Sequence, residues 1–389
     1  MNARSMDRIA VAAFARAGCA NVRSTIGPGA RLLAAWLAAL LLQFAVAGQA
    51  AAAPPALAKV EPGRPLSFPR DYGAHPDFRT EWWYATGWLA TGDGRQIGFQ
   101  VTFFRSATDH DRANPSRFAP QQLIIAHAAI SDPADGKLLH DQRSARAGFG
   151  LAEAKEGDTD VKVDGWRFVR GADGAYRADI PARGFTLRLT LAPTQPALLQ
   201  GDAGFSRKGP MPDQASYYYS EPHLAVRGEL VRDGRKTDVT GSAWLDHEWS
   251  TTVLDPAAAG WDWIGINLGG GAALMAFRIR GKDGATLWTH ASLRDAGGRV
   301  TQFGGDRVRF TPLRHWKSPR TGASYPVALR IETGDVRWEL TPLQDDQELD
   351  SRQSTGAVYW EGAVTVTRDG KPAGRGYLEL TGYVKPLRL

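Results

Sequence analysis

The feature that most constrains this chain is an apolar–polar alternation of period two that returns in segment after segment. In "RQIGFQVTFF", Ile97, Phe99, Val101 and Phe103 share one face while Gly98, Gln100 and Thr102 share the other. In "GFTLRLTL", Phe185, Leu187, Leu189 and Leu191 alternate with Thr186, Arg188 and Thr190. "GAVYWEGAVTVTRDG" and "GRGYLELTGYV" carry the pattern to the C-terminus. No long segment holds a helical period, so the chain reads as short antiparallel strands. Two-residue turns fit "DG" at 93–94, 135–136, 173–174, 233–234, 283–284 and 369–370. Strands spaced in this way predict an all-β sandwich or barrel. The 13 Trp and 43 Gly suit such a fold better than a bundle.

The N-terminal region follows other rules. Arg4, Arg8, Arg16, Arg23 and Arg31 face the single acid Asp7, and the apolar run "LLAAWLAALLLQFAV" (32–46) precedes the small residues "AGQAAAAPP". This order predicts a signal peptide over residues 1–53 and a periplasmic or secreted protein. The run is shorter than the roughly 20 residues of a membrane-spanning helix, although an uncleaved leader would still anchor the chain. Without the leader, 47 basic and 41 acidic residues become 42 and 40. A nearly neutral body argues against nucleic acid as a partner. Cys19, the only cysteine, lies in the leader, which excludes disulfides and thiolate chemistry from the body. A Pro-rich linker follows over 54–65, "PPALAKVEPGRP".

The two halves echo each other. Trp82, Tyr84 and Leu89 of "WWYATGWL" stand in step with Trp261, Trp263 and Leu268 of "WDWIGINL". Both segments lead through a glycine turn into an apolar strand ending in arginine. The echo predicts two β-barrels, each opened by an aromatic strand, over residues 66–250 and 251–389.

Candidate chemistry gathers around "AWLDHEWS" and "GWDWIGINL". On a strand, Trp244, Asp246 and Glu248 share one face, and Leu245, His247 and Trp249 the other. Neighbours that diverge in this way make a poor metal site, no H-E-x-x-H spacing exists, and no metal or cofactor is expected. Asp262 ends an apolar row through Ile264, Ile266 and Leu268. Desolvation there would suit a general acid, whereas the structural alternative is a turn cap or an ion pair with Arg278 or Arg280. His247 is a candidate proton carrier, or a core histidine bonded to a carbonyl. His127, Tyr218 and Tyr219 are candidate ligand contacts, and Trp82, Trp83, Tyr84, Trp261 and Trp263 candidate aromatic walls. The chain lacks G-x-S-x-G, so Ser250 beside His247 is weak evidence for a hydrolase.

"HPDFRTEWWYATGWL", "IIAHAAISD", "KGPMPDQASYYYSEPHL", "GSAWLDHEWS", "GWDWIGINL", "DQEL", "YWEGAV" and "GYLELTGY" run in order through the body. Together they resemble the signatures of the AttH and carotenoid 1,2-hydratase (CrtC-like) family. The resemblance implies a pair of lipocalin-like antiparallel barrels and an apolar ligand, an isoprenoid or a lipid. It also implies hydration of an isoprenoid double bond, with His247 and Trp249 matching the family's His-x-Trp pair. Asp262 is then the candidate acid and Asp246 its rival. The leader and the "TEWWYATG" wording resemble the exported AttH-type branch. That branch implies an envelope carrier working with an ABC-transporter component, or a secreted hydrolase. Oligomeric state is left open.

Overall fold

A computed structural model describes residues 57–252 and 254–387. The signal peptide expected over 1–53 lies outside the described residues, as does the start of the linker. Residues 57–65 lie against the first barrel, where Val60 is buried beside Tyr217 and Trp249. Among the described residues, no helix is long and apolar enough to cross a membrane.

Period-two alternation produces two antiparallel sheets, one of thirteen strands ending at Ser250 and one of ten beginning at Ala258. Each curls around its own core into a barrel. Ile97, Phe99, Val101 and Phe103 point into the first core with Trp83, Ala85 and Leu245. Ile264, Ile266 and Leu268 point into the second with Leu274, Leu340 and Leu378. Side chains of these two clusters occupy both interiors.

The two barrels are built alike. Thr80–Thr91 pairs with the next strand, Gln96–Ala107, and with the last strand of its barrel, Arg235–Ser250. Ala258–Leu268 likewise pairs with the next strand, Ala273–Gly281, and with the last, Lys371–Leu380. The hairpins closing the barrels match too. Asp233–Gly234 (φ 50° and 74°) and Asp369–Gly370 (φ 53° and 74°) are two-residue turns with both residues left-handed, the geometry that fits the twist of a hairpin. Asp164–Gly165 (φ 45° and 81°) is a third such turn, between Val163 and Trp166, and the other Asp–Gly pairs sit in longer connections. At 135–136 the two-residue turn is replaced by a capped 3-10 turn, in which the Asp132 side chain accepts from the Ala134 N–H.

The opening strands of the two barrels also bury their second face, against each other. Tyr84, Trp88, Tyr218, Trp244, Trp263, Phe277 and Tyr377 form a third apolar cluster between the sheets. A tryptophan buried there removes roughly 200 Å² from water, on the order of 5 kcal/mol. The approach is close enough that a Cβ on Gly98 would stand 2.6 Å from the Ala363 side chain. This contact places the functional candidates.

Candidate functional site

The cluster around "AWLDHEWS" is divided by its own alternation. Trp244, Asp246 and Glu248 face the space between the barrels, while Leu245, His247 and Trp249 face into the first one. The inter-barrel face opens a cleft of about 80 Å³ lined by Trp82, Tyr84, Gln100, Thr102, Phe104, Asp246, Glu248, Trp261, Trp263, Tyr359, Glu361 and Glu379. Thr80 lines both this cleft and an outer pocket of about 890 Å³. Of the candidate residues, Trp83, Tyr219, His247 and Trp249 face into the first barrel. Trp82, Tyr84, Trp261 and Trp263 line the junction instead.

Asp246 is fully desolvated. Its Oδ1 accepts from Trp244 Nε1 at 2.6 Å and from Ser220 Oγ at 2.5 Å, and its Oδ2 accepts from Tyr218 OH at 2.6 Å. Tyr218 OH in turn accepts from Trp263 Nε1 at 3.0 Å. Burial pushes the Asp246 carboxyl up to about 7, against the pull of those three donors. Register gives it a counterpart. Tyr84 lies opposite Asp246 in the first sheet, and its sequence echo Trp263 lies opposite Glu379 in the second. Burial pushes Glu379 up to about 7 as well, with Trp261 Nε1 donating to its Oε2 at 2.8 Å. Glu361, opposite Glu379 on the neighbouring strand, goes well above the usual carboxylate range, through burial first and then the charge of Glu379. Its Oε1 accepts from Tyr84 OH, and its Oε2 has no partner.

Glu248 is the exception among the cleft acids. Lys208 Nζ lies 2.8 Å from its Oε1, with both side chains almost completely buried. Among the described residues no other basic side chain forms an ion pair with a cleft acid. Chemically, the cleft combines carboxylic acids that keep their proton near neutrality, one ion-paired carboxylate, and tryptophan faces able to stabilise positive charge.

The remaining candidates fall elsewhere. His127 bridges the barrels, with Nδ1 2.8 Å from Tyr359 OH and Nε2 2.9 Å from Ser354 Oγ; burial drives it down to about 3 and keeps it neutral. Tyr219 OH lies 3.1 Å from His247 Nδ1 inside the first barrel. His247 Nε2 lies 2.9 Å from Glu81 Oε1, and Trp249 stacks on His75 at 3.7 Å. His75, Glu81 and His247 bring donor atoms within 4.8 Å of one another, a spacing open to a metal ion. Arg105 Nε already donates to Glu81 Oε2 at 2.7 Å, so a dication there would face a fixed positive charge.

Asp262 adopts the ion-pair alternative rather than the cleft. Its Oδ2 accepts from Arg278 Nε and its Oδ1 from Arg280 Nε, both at 2.9 Å, and Tyr383 OH donates to Oδ1 at 3.0 Å. It lies on the core face of its strand, opposite to Trp261 and Trp263. Ser250 Oγ donates to the Ala215 carbonyl, and the His247 ring nitrogens are taken by Tyr219 and Glu81.

"YWEGAV" and "GYLELTGY" carry Glu361 and Glu379, which sequence reasoning does not pick out as site residues. A signal is present all the same. Each acid stands two residues after a tyrosine on the same strand face, Tyr359 before Glu361 and Tyr377 before Glu379. Gln100, Glu248 and Lys208 carry no comparable mark.

A sequence profile described as AttH-like matches residues 59–383. The crystal structure of a protein described as AttH from Nitrosomonas europaea is 63% identical and has a TM-score of 0.80, covering 84% of this chain and 100% of that one. Kievitone hydratase from Nectria haematococca shares 15% identity and a TM-score of 0.65, over 85% of this chain and 98% of that one. CghA, solved with Sch210972, shares 15% identity and a TM-score of 0.50, over 84% and 97%. At such identities the last two likenesses concern the fold alone. No curated protein matches by sequence. The family match, its span and the 63% identity together establish that this chain belongs to the AttH-like family, with the double-barrel fold it shares with a hydratase.

Proposed function

We propose that the inter-barrel cleft protonates a carbon–carbon double bond at the end of an apolar ligand and adds water to it. The observation that carries this reading is the set of desolvated carboxyls, Asp246, Glu361 and Glu379, facing tryptophan walls without a basic partner. Such a carboxyl keeps its proton near neutral pH and can deliver it to an alkene carbon. The π pair forms the new C–H bond, and the neighbouring carbon becomes a cation beside Trp82, Trp261 and Trp263. Water then attacks that carbon and loses a proton to a cleft carboxylate, with the ion-paired Glu248 available as base. Asp246 is the first candidate for the acid, and His247 acts only from behind the sheet, as a positioning residue.

A cleft of about 80 Å³ is far below the several hundred Å³ of a typical small-molecule pocket. It suits the end of a chain, with the rest of an isoprenoid or lipid running past Thr80 into the outer pocket. Hydration by kievitone hydratase, which shares the fold, supports the reaction class. Export of the mature chain belongs to the same proposal, and N-terminal sequencing of envelope-derived protein tests it.

The experiment is incubation with acyclic isoprenoids in ¹⁸O-labelled water, followed by mass spectrometry of the product. Asp246→Asn and Glu361→Gln should each cost roughly 10²–10⁴ in rate if they donate the proton. Unchanged label uptake in both variants, or no uptake from any terminal alkene, defeats the reading.

A further inference from the structure

The polar groups of the cleft are unevenly matched. Four of its donors are spent internally: Tyr84 OH on Glu361, Trp261 Nε1 on Glu379, Trp263 Nε1 on Tyr218, and Gln100 Nε2 on Thr102 Oγ1 at 2.6 Å. Two of its buried atoms remain without a partner, one a fixed acceptor and the other an acceptor once its carboxyl gives up its proton. Gln100 Oε1 and Glu361 Oε2 are both completely buried and line the same cavity. Leaving such atoms unmatched costs about 1–3 kcal/mol each, so an occupant that donates to them is strongly favoured. The walls beside them are tryptophan faces, which attract cations.

The chain already places an ammonium of its own at the edge of this surface. Lys208 Nζ sits 4.2 Å from the Phe277 ring centre and 4.6 Å from that of Tyr218, with Glu248 completing the contact. It borders a small pocket that shares Trp82, Glu248, Trp261 and Trp263 with the cleft. The deeper acids, Asp246, Glu361 and Glu379, have no such partner. Nor do they suit a bare metal ion. Among the described residues, three donors lie within 4.8 Å of one another only at His75, Glu81 and His247, so no three of the cleft acids converge on one point. A dication needs oxygens at roughly 2.0–2.6 Å, whereas an ammonium head group fills a wider space and uses aromatic faces as well.

We propose that the cleft binds an organic ammonium head group between Glu361, Glu379 and Asp246 and the faces of Trp82, Trp261 and Trp263. The ligand's tail passes Thr80 into the outer pocket. This goes beyond the hydration reading and does not depend on turnover. The groups facing the head group are Asp246, Glu248, Glu361, Glu379 and Lys208, with Tyr84, Tyr218, Tyr359 and the neutral His127 behind them. The acids give up protons as the cation enters, so affinity rises with pH.

The test uses 2-phenylethylammonium, with 2-phenylethanol and phenylacetate as neutral and anionic comparisons. Binding is followed by calorimetry and tryptophan fluorescence between pH 6 and 8. At pH 8 the ammonium should bind at least about tenfold more tightly than the alcohol, a difference near 1.4 kcal/mol. That preference should fall at pH 6 and vanish in Glu361→Gln/Glu379→Gln. Lys208→Met, which removes the internal ammonium and frees its rings, should tighten binding about threefold or more. It also keeps the test alive if the double variant does not fold. Equal binding of alcohol and ammonium, preference for phenylacetate, displacement by millimolar calcium, or weaker binding in Lys208→Met would each overturn the proposal. Water addition without ammonium binding sinks this inference and leaves the hydration reading standing; ammonium binding without water addition does the reverse.

Discussion

Two groups of buried carboxylates lie on opposite faces of one strand pair, and their electrostatics are opposite. Glu81 is as completely buried as Glu361. Burial alone would raise Glu81, yet Arg105 and His75 hold it well below the usual carboxylate range. Arg105, the His75 ring, the His75 backbone N–H and His247 occupy both its oxygens. Across the sheet, Asp246, Glu361 and Glu379 meet phenols, indoles and each other, and all three rise. Burial is common to both groups. What separates them is a guanidinium at 2.7 Å, which turns the first into a structural ion network and leaves the second as proton-bearing acids.

The largest expected effect breaks the structural side. Glu81→Ala strands Arg105, His75 and His247 without their shared anion and should cost about 3–5 kcal/mol in urea unfolding. A loss under about 1 kcal/mol would show that the network is not what holds the first barrel's end.

Asp262→Asn is the intermediate case. It weakens two arginine contacts and should cost about 1–3 kcal/mol while leaving label uptake from ¹⁸O-water intact. Uptake abolished at preserved stability would return Asp262 to the acid's role.

The two groups also predict opposite pH dependence. Asp246 and Glu379 ordinarily titrate near 3.8 and 4.5 and rise to about 7 when folded, so the folded protein binds more protons and stability falls as pH rises from about 4 to 7. Glu81 and Asp71 are lowered, so their contribution is present above their ordinary values and lost as pH falls below them. His75 is raised, and its share is lost as pH climbs through that raised value. The decline above about pH 4 should therefore be flattened in Asp246→Asn/Glu379→Gln, while the loss at lower pH stays as it is. An unchanged slope in that variant would contradict the cleft assignment.

The smallest effect is at Ser250. Ser250→Ala loses a hydrogen bond to the Ala215 carbonyl, about 1 kcal/mol, and should not alter turnover. Loss of turnover would revive the hydrolase alternative.

The strands, the two-barrel plan and the likeness of the two aromatic openers are legible in the sequence, because side-chain period and turn chemistry are local. Alternation in "AWLDHEWS" is equally local, and it alone puts Asp246 and His247 on opposite faces of their strand. Only the tertiary structure decided which face was the interior. Both faces of Thr80–Thr91 and Ala258–Leu268 are buried, one in a core and one against the other barrel, so hydrophobicity cannot tell them apart. For the same reason Asp262 and Asp246 look alike in sequence, each an acid among tryptophans. One meets Arg278 and Arg280 across a strand pair, and the other forms no ion pair among the described residues. Glu379 became a counterpart of Asp246 only through cross-strand register, a relation between residues more than a hundred positions apart that no local pattern carries.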